Sequence, residues 1–239
     1  RRRAGEDAPP DTGGVGEAVG EDVNRTIAIL QPGFRPWLGF FEQFATVDWF
    51  VYLEDVQYTK ADWRSRNRIR TDSPQGWCWL TVPVKKGPEK MPLLEARIDH
   101  SVKWAARHLN LLRQFYGKAP FFSRYYEPIC EIYSRKIDSL VEFDVLLTEL
   151  FLDALRITTT VVYSSSFGVG GNKCEKLLRL CQACHADTFY DGAAARSFID
   201  DAYMLENGVK MVYQAYNPIP YRQVFDPFIP YLSRVDLLF

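Results

Sequence analysis

The chain has 239 residues, of which 47% are hydrophobic and 15% aromatic, which is enough to bury a full core in one domain. Its formal net charge of −1 and pI of about 6.4 exclude an overall charge bias toward nucleic acid or an anionic membrane surface. We therefore expect no nucleic-acid binding, and any anion site has to be local.

The chain shows no signal for membrane insertion or export. No apolar run approaches the roughly 18–20 residues of a spanning helix, and the start of the chain lacks the apolar core of a signal peptide. The five cysteines are odd in number and lack the spacing of a disulfide framework. We therefore expect reduced thiols, no membrane insertion and a cytoplasmic location.

The first 24 residues differ in composition from the rest. They are rich in Gly, Ala, Pro and acidic residues, and three valines are their only sizeable apolar side chains. Because such a segment cannot offset the entropy lost on ordering, we expect a disordered tail over 1–24 and a single domain over 25–239. The chain begins with Arg rather than Met, so we interpret it as a fragment or a trimmed chain.

The remaining sequence alternates strand and helix patterns. Strands are predicted at "TIAILQP", "FVYLEDV", "WCWLTVPV" (77–84), "PLLEARID" (92–99), "TTTVVYSS", "DTFYD" and "VKMVYQAY". Helices are predicted at "WLGFFEQFATVDWF", at "KCEKLLRLCQACH", at "ARSFIDDAYMLENG" and in a helical segment over about 101–157 that begins behind a Ser101 cap. This order predicts an α/β fold with a mostly parallel, Rossmann-like sheet and a helical insertion in the middle of the chain.

Polar side chains follow several of the predicted strands. Gln31 follows the first strand, Asp55 and Gln57 follow the second, Ser164 and Asp191 follow later strands, and Gln214 follows the last. Since ligands of open α/β sheets bind at the carboxyl ends of the strands, these groups are expected to converge on one crevice.

The stretch "DVQYTKADWRSRNRIR" (55–70) carries five basic side chains and no clear hydrophobic period. It is interpreted either as a solvated, charge-rich loop or as a set of ligand-binding groups. The arginine forks suit carboxylate or phosphate, and Gln57 and Asn67 can each donate and accept hydrogen bonds toward sugar hydroxyls.

The segment "IAILQPGFRPWLGFFEQFATVDWFVYLEDVQYTKADWRSRNRIR", together with "WCWLTVPV", "WAARHLNLLRQFYGKAPFF" and "YNPIPYRQVFDPFIPYLSRVDLLF", resembles the WbqC-like protein family over 26–239. These bacterial proteins are associated with O-antigen and other surface-polysaccharide or amino-sugar pathways. The chain departs from the family pattern at Glu54, where an aspartate is usual, at Ser65, where an amide is usual, and at Asn217, where a histidine is usual.

The resemblance implies a substrate site and a candidate general base. Asp55 and, as the second choice, His108 are the candidate catalytic residues. The expected substrate-binding residues are Gln31, Trp37, Gln57, Tyr58, Lys60, Arg64, Arg66, Asn67, Gln214, Tyr221 and Gln223.

Three functions fit these observations. The first is acyl or aminoacyl transfer to a nucleotide-linked amino sugar, and the second is nucleotidyl transfer, because the entry segment also resembles nucleotidylyltransferase-like folds although it lacks their "HxGH" histidines. The third is non-catalytic binding of a pathway intermediate. In each case the partner is a small molecule, such as a sugar nucleotide or acyl donor.

The sequence identifies no cofactor and no oligomeric state, and it predicts no metal site. "CQACH" (181–185) has the letters of a haem attachment motif, but it lies in an amphipathic helix of a chain without an export signal. A single Cys-x-x-Cys pair without a distant partner pair is also a weak zinc signal.

Overall fold

The computed structural model describes residues 24–239, so nearly all of the tail expected over 1–24 lies outside the described residues. The strands are Thr26–Leu30 (β1), Trp49–Tyr52 (β2), Arg66–Arg70 (β3), Trp77–Thr81 (β4), Thr160–Tyr163 (β5), Thr188–Asp191 (β6) and Lys210–Tyr213 (β7). The α-helices are Leu38–Thr46 (α1), Trp104–Tyr116 (α2), Phe122–Ser134 (α3), Leu140–Leu155 (α4), Lys173–Ala183 (α5), Asp201–Glu206 (α6) and Val235–Leu238 (α7).

Five strands form one sheet in the order β5-β2-β1-β6-β7, and all neighbouring pairs in it are parallel. The predicted α/β fold with a mostly parallel sheet is confirmed. The chain starts at the centre with β1, adds β2 and β5 on one side, and then returns to add β6 and β7 on the other. This reversal creates a switch point between β1 and β6.

The central strand explains why "TIAIL" is continuously apolar. Successive side chains of a strand point to opposite faces, and both faces of β1 are covered. Ala28 packs into the larger core cluster, whereas Ile27 and Ile29 pack into the smaller one with α5. The larger cluster contains α1 and α4, and the rings of Phe44 and Phe50 stack there with centroids 3.6 Å apart.

Three helices, α2 to α4, lie between β4 and β5 in the chain. The side chain of Ser139 caps α4 by accepting a hydrogen bond from the backbone N–H of Glu142, and the residue after the helix, Arg156, adopts the left-handed conformation. Helix α4 packs on α1 through Phe151 and Phe41, whose ring centroids are 6.0 Å apart.

The stretch that was interpreted as a loop or set of ligand-binding groups contains a strand. β3 pairs with β4 in an antiparallel hairpin outside the main sheet. Asn67 and Ile69 point inward and are buried, while Arg66 and Arg68 lie on the outward face. The strand was missed because its inward positions alternate between an amide and an isoleucine, so that no apolar period is visible.

Three other expectations about local structure are wrong. Segment 92–99 forms a 3-10 turn at Leu93–Glu95, because Leu93 and Leu94 donate their N–H groups to the loop after β2 rather than to a strand. The α2 helix begins at Trp104, and Ser101 is bonded to Asp99 instead of capping it. The helix expected over 195–208 is split into a 3-10 turn, Ala193–Ser197, and the shorter α6, which Asp200 caps.

Within residues 24–239, no helix combines the length and apolar character that crossing a membrane requires.

Candidate functional site

A crevice of about 500 Å³ opens at the carboxyl ends of β1 and β2, beside the start of α5. Gln31 follows β1, Asp55 and Gln57 follow β2, and Lys176 lies in the first two turns of α5. The crevice is lined by Gln31, Leu53, Asp55, Val56, Gln57, Gly171, Asn172, Lys173, Lys176, Leu177 and Phe198. Three predicted site residues, Gln31, Asp55 and Gln57, therefore lie together at the expected edge of the sheet.

Two side chains contact Asp55 in the wall of this crevice. Its Oδ2 forms an ion pair with Lys176 Nζ at 2.7 Å, and the Ser164 hydroxyl donates to its Oδ1 at 2.5 Å. The Asp55 side chain keeps 19% of its surface exposed and that of Lys176 keeps 14%, so the pair is only partly shielded from water. Both contacts orient the carboxylate and leave it facing the cavity.

Glu54 binds the neighbouring strand end. Its buried carboxylate accepts hydrogen bonds from the backbone N–H groups of Ser164 and Ser165, each at 3.2 Å. The Ser164 hydroxyl also lies 2.9 Å from Glu54, so it is within hydrogen-bond distance of both the Glu54 and the Asp55 carboxylates. Glu54 thus fixes the end of β5 to the end of β2 and positions the serine that contacts Asp55.

The start of α5 gives the crevice a positive character. Asn172 caps the helix in a reciprocal arrangement with Glu175, and Gly171 before it has a φ of +126°, where a side chain would be strained. The first backbone N–H groups of a helix have no acceptor within the helix, and the helix dipole adds positive potential there. With Lys173 and Lys176, the lining carries two ammonium groups against the one carboxylate of Asp55.

Arg64 does not line the crevice but contacts Gln31, which does. Its Nε donates to the Gln31 side-chain oxygen, and its Nη1 pairs with Asp62 at 2.7 Å. Burial lowers the pKa of Arg64, and the Asp62 carboxylate opposes that shift. Arg64 therefore orients Gln31, which lines the crevice directly.

A second cavity, here called the basic groove, lies between the β3–β4 hairpin and the 85–91 loop and measures about 510 Å³. Gln57, Tyr58, Lys60 and Arg66 line it, and Gln57 also lines the crevice. Tyr58 is nearly buried and its hydroxyl donates to Ser65 at 3.3 Å, whereas Lys60 is exposed. Of the predicted basic residues, Lys60 and Arg66 therefore line the basic groove, whereas Arg64 lines neither the groove nor the crevice.

Three predicted binding residues make contacts within the fold. Asn67 is buried and donates to the carbonyl oxygens of Phe34 and Arg35, and its own oxygen accepts from the Arg68 N–H. Gln214 is buried beneath α1, where it donates to the Gly39 carbonyl at 2.7 Å. Trp37 precedes α1 and packs edge-on against Tyr216 and Tyr231, with centroids 5.1 and 5.5 Å away. None of these three residues lines the crevice or the basic groove.

Tyr221 and Gln223 lie in the anchor of the C-terminal segment. The Tyr221 hydroxyl donates to Asp236 at 2.8 Å, and the Gln223 amide donates to the same carboxylate oxygen at 2.7 Å. Tyr116 donates to the other oxygen of Asp236 at 2.9 Å. These side chains therefore attach residues 221–236 to α2.

His108 lies in the hydrophobic core and lines neither cavity. Its Nδ1 is 3.2 Å from the Tyr133 hydroxyl, and the Trp104 ring is 5.2 Å away. Burial, assisted by the positive charge of Arg35, lowers the pKa of His108 to about 3, so its ring is neutral near pH 7.

Sequence reasoning missed the contribution of Lys176. It lies on a helix 121 residues after Asp55, so no local pattern connects the two. One signal was available: Lys176 follows the cap residue Asn172 by four positions, which places both on one side of α5.

Asp191 is a second residue at this edge of the sheet. It ends β6 at the switch point, it is buried, and it accepts a hydrogen bond from the Gly192 N–H at 2.6 Å. Burial raises the pKa of Asp191 to about 6.

The crevice can bind an anion and move a proton. Lys173, Lys176 and the start of α5 suit a phosphate group, as helix N-termini and ammonium groups generally do. Asp55 is a carboxylate in the same cavity and can accept a proton from a bound amine or hydroxyl.

Comparison with known proteins finds a family model and a curated relative that resemble the chain. The family model described as "WbqC-like protein family" matches residues 31–239. "Uncharacterized protein Rv1507c" of Mycobacterium tuberculosis (strain ATCC 25618 / H37Rv) is 34% identical over 221 residues, which cover 90% of this chain and 93% of that protein. No solved structure matches the chain significantly.

Proposed function

The chain belongs to the WbqC-like protein family, and on that premise we propose that it is a transferase of bacterial glycan or amino-sugar biosynthesis of the O-antigen type. It would transfer an acyl or aminoacyl group to a nucleotide-linked amino sugar. The observation that carries this proposal is the Asp55–Lys176 pair, which brings a proton acceptor and an anion-binding group into one crevice.

The binding half of the proposal rests on charge. A nucleotide-linked sugar carries a diphosphate, and the crevice offers Lys173, Lys176 and the start of α5 on one wall. Gln31 and Gln57 line the same cavity and can bond to sugar hydroxyls. The cavity volume of about 500 Å³ lies in the range of small-molecule sites.

The chemical half rests on Asp55. The amine nitrogen of the bound sugar would attack the carbonyl carbon of an activated acyl donor, forming the new C–N bond. The bond between the acyl group and its carrier breaks, and the carrier leaves with the electron pair. The proton lost by the amine passes to the Asp55 carboxylate, which the Lys176 ammonium, 2.7 Å away, orients in the crevice.

We assign the base to Asp55 rather than His108. A core histidine with a pKa lowered to about 3 and no cavity beside it is poorly suited to collect a substrate proton at neutral pH.

We also propose that the reaction takes place in the cytoplasm and that residues 25–239 form one domain. All five cysteines are free, which suits a reducing compartment. The one-domain proposal is supported by Ala28 from β1 and Val235 from α7, which belong to the same core cluster.

The ion pair itself favours a second candidate function, binding without catalysis. Lys176 and Asp55 already form an ion pair with each other. A bound phosphate that contacts Lys176 would exchange one partner of this ion pair for another, and no proton transfer is needed for that. In that case the protein holds a pathway intermediate for another enzyme.

The two functions are separated by a turnover assay. The protein is incubated with UDP-, GDP- and dTDP-linked amino sugars and acetyl-coenzyme A, and the sugar nucleotides are analysed by mass spectrometry. An acetylated product that requires Asp55 supports the transferase. Saturable binding of a sugar nucleotide without any product supports the function of a non-catalytic binding protein. This outcome requires that aminoacyl thioesters are also tested as donors.

A further inference from the structure

The outward face of the β3–β4 hairpin and the turn before it carry three tryptophans and two arginines, here called the Trp–Arg platform: Trp63, Trp77, Trp79, Arg66 and Arg68. The Arg68 guanidinium lies 5.8, 5.1 and 5.9 Å from the ring centroids of Trp63, Trp77 and Trp79. The Arg66 guanidinium lies 4.4 Å from the Trp79 ring. The indoles and guanidiniums are therefore interleaved on one surface.

Contacts within the protein cover only part of the platform and pair few of its charged groups. Trp63 keeps 44% of its surface exposed, which is unusual for so large an apolar side chain. Within residues 24–239, no carboxylate lies at ion-pair distance from Arg66 or Arg68, and the nearby Asp62 is paired with Arg64. Arg68 makes one weak bond, at 3.4 Å, to the Tyr231 carbonyl.

The platform is concave and connects with the site described above. A cavity of about 280 Å³ is lined by Trp63, Trp79, Arg66 and Arg68, among others. Arg66 also lines the basic groove, and Gln57 lines both that groove and the crevice. The three cavities therefore follow one another across the surface, from the end of the sheet to the hairpin.

We propose that the Trp–Arg platform is a second saccharide-binding site that takes a sugar unit carrying an anionic group, a carboxylate or a phosphate. The exposed indole of Trp63 is electron-rich and suits the apolar, slightly positive C–H face of a sugar ring. The two guanidinium groups present planar forks to the anionic group. A cavity of this volume accommodates about one sugar unit and is too small for the large, flat contact that a protein partner needs.

The choice of a saccharide rests on the proposed function, whereas the anionic group is argued from the unpaired arginines alone. A nucleobase could also stack on the indoles, and the experiment below separates it from a sugar.

The test follows the tryptophan indole N–H resonances in a ¹⁵N–¹H NMR spectrum, to which each of the six tryptophans of the chain contributes one indole signal. The probes are sialyllactose with lactose as its neutral match, and glucose 6-phosphate with glucose as its neutral match. Uridine serves as the nucleobase probe. We expect an anionic probe to shift the resonances of Trp63, Trp77 and Trp79 saturably, with at least tenfold weaker binding of its neutral match.

Two variants locate the binding and one serves as control. Arg68→Gln and Trp63→Ala should each lower the affinity for the anionic probe at least tenfold. The control is Arg124→Gln on α3, which removes an exposed guanidinium that lies 5.3 Å from the ring centroid of Tyr125. This variant should leave the affinity for the anionic probe unchanged. Because Trp63 is exposed, its replacement is expected to leave the fold intact, which the remaining amide signals report.

The outcomes for the platform and for the crevice are distinguishable. Lys176→Met should remove sugar-nucleotide binding in the crevice and leave the shifts of the platform indoles unchanged. The platform proposal is overturned if neither anionic probe shifts these indoles, if neutral and anionic probes bind equally, or if uridine alone produces the shifts. Failure of crevice binding with intact platform shifts overturns only the proposed function.

Discussion

Asp191 gives the sharpest prediction about stability. Its carboxyl group is buried at the end of β6, and burial raises its pKa from 3.8 to about 6. A carboxyl group whose pKa is raised by folding is more readily protonated in the native state than in the unfolded state. The contribution of Asp191 to the free energy of unfolding is therefore most favourable at low pH and is lost as the pH rises from 3.8 to about 6.

The size of the effect follows from that shift. A rise from 3.8 to about 6 corresponds to a loss of about 3 kcal/mol once the pH exceeds 6, and to about half of that at pH 5. Asp191→Asn keeps an oxygen that can accept from the Gly192 N–H and removes the buried charge. We expect the variant to be more stable than the wild type by up to about 3 kcal/mol at pH 7 and equally stable below pH 4.

Urea unfolding of both proteins between pH 4 and pH 8 measures this difference. The control is Asp187→Asn, just before the opposite end of the same strand, where the carboxylate is only half-buried. We expect it to change the free energy of unfolding by less than about 0.5 kcal/mol at every pH. The reasoning is refuted if the gain of Asp191→Asn does not vary with pH, or if the variant is less stable at pH 7.

Three further predictions concern the site and the core. Asp55→Asn should lower turnover by about a hundredfold or more while the affinity for the sugar nucleotide is nearly kept, as steady-state kinetics and calorimetry would measure; a parallel loss of affinity would make Asp55 an orienting residue. Arg70→Met should lower the free energy of unfolding by about 3 kcal/mol or more, because buried Arg70 donates to four backbone carbonyls. Urea unfolding measures this loss, and the exposed control Arg113→Met should lower the free energy of unfolding by less than about 1 kcal/mol. His108→Phe should change stability by less than about 1.5 kcal/mol and preserve turnover, and abolished turnover in a folded variant would restore His108 as the base.

The sheet could be predicted from the sequence because its three central strands, β2, β1 and β6, are largely buried. Continuous apolar runs such as "TIAIL" stand out from the amphipathic helices around them. In a parallel sheet all strands end at the same edge, so the convergence of Gln31, Asp55 and Gln57 follows from the order of the elements alone.

The remaining site residues depend on tertiary partners that the sequence does not reveal. Asn67, Gln214 and Gln223 have the side chains of a sugar-binding site, but the fold uses their hydrogen-bonding groups for buried carbonyls and carboxylates. Conversely, Lys176 belongs to an ordinary amphipathic helix pattern and becomes a site residue only because α5 begins beside β2.

The hairpin shows the same limit. Arg66, Arg68 and Arg70 alternate along β3, and the pattern alone assigns them to one outward face. Arg70 is nevertheless buried, because the segment around Phe225 and Pro227 folds over it and accepts its hydrogen bonds. Contacts with this distant segment therefore decide which arginine stabilises the fold and which arginines remain accessible to a ligand.

The central claim is that the crevice binds the phosphate groups of a nucleotide-linked sugar through Lys176. Isothermal titration calorimetry with UDP-, GDP- and dTDP-linked amino sugars tests it on the wild type, on Lys176→Met and on the control Lys118→Met, which removes an exposed lysine far along the chain from the crevice. We predict saturable binding of at least one of these ligands, a loss of at least tenfold in Lys176→Met, and no change in Lys118→Met. Equal affinity of Lys176→Met and the wild type, or no binding of any of the three ligands to the wild type, would contradict the claim.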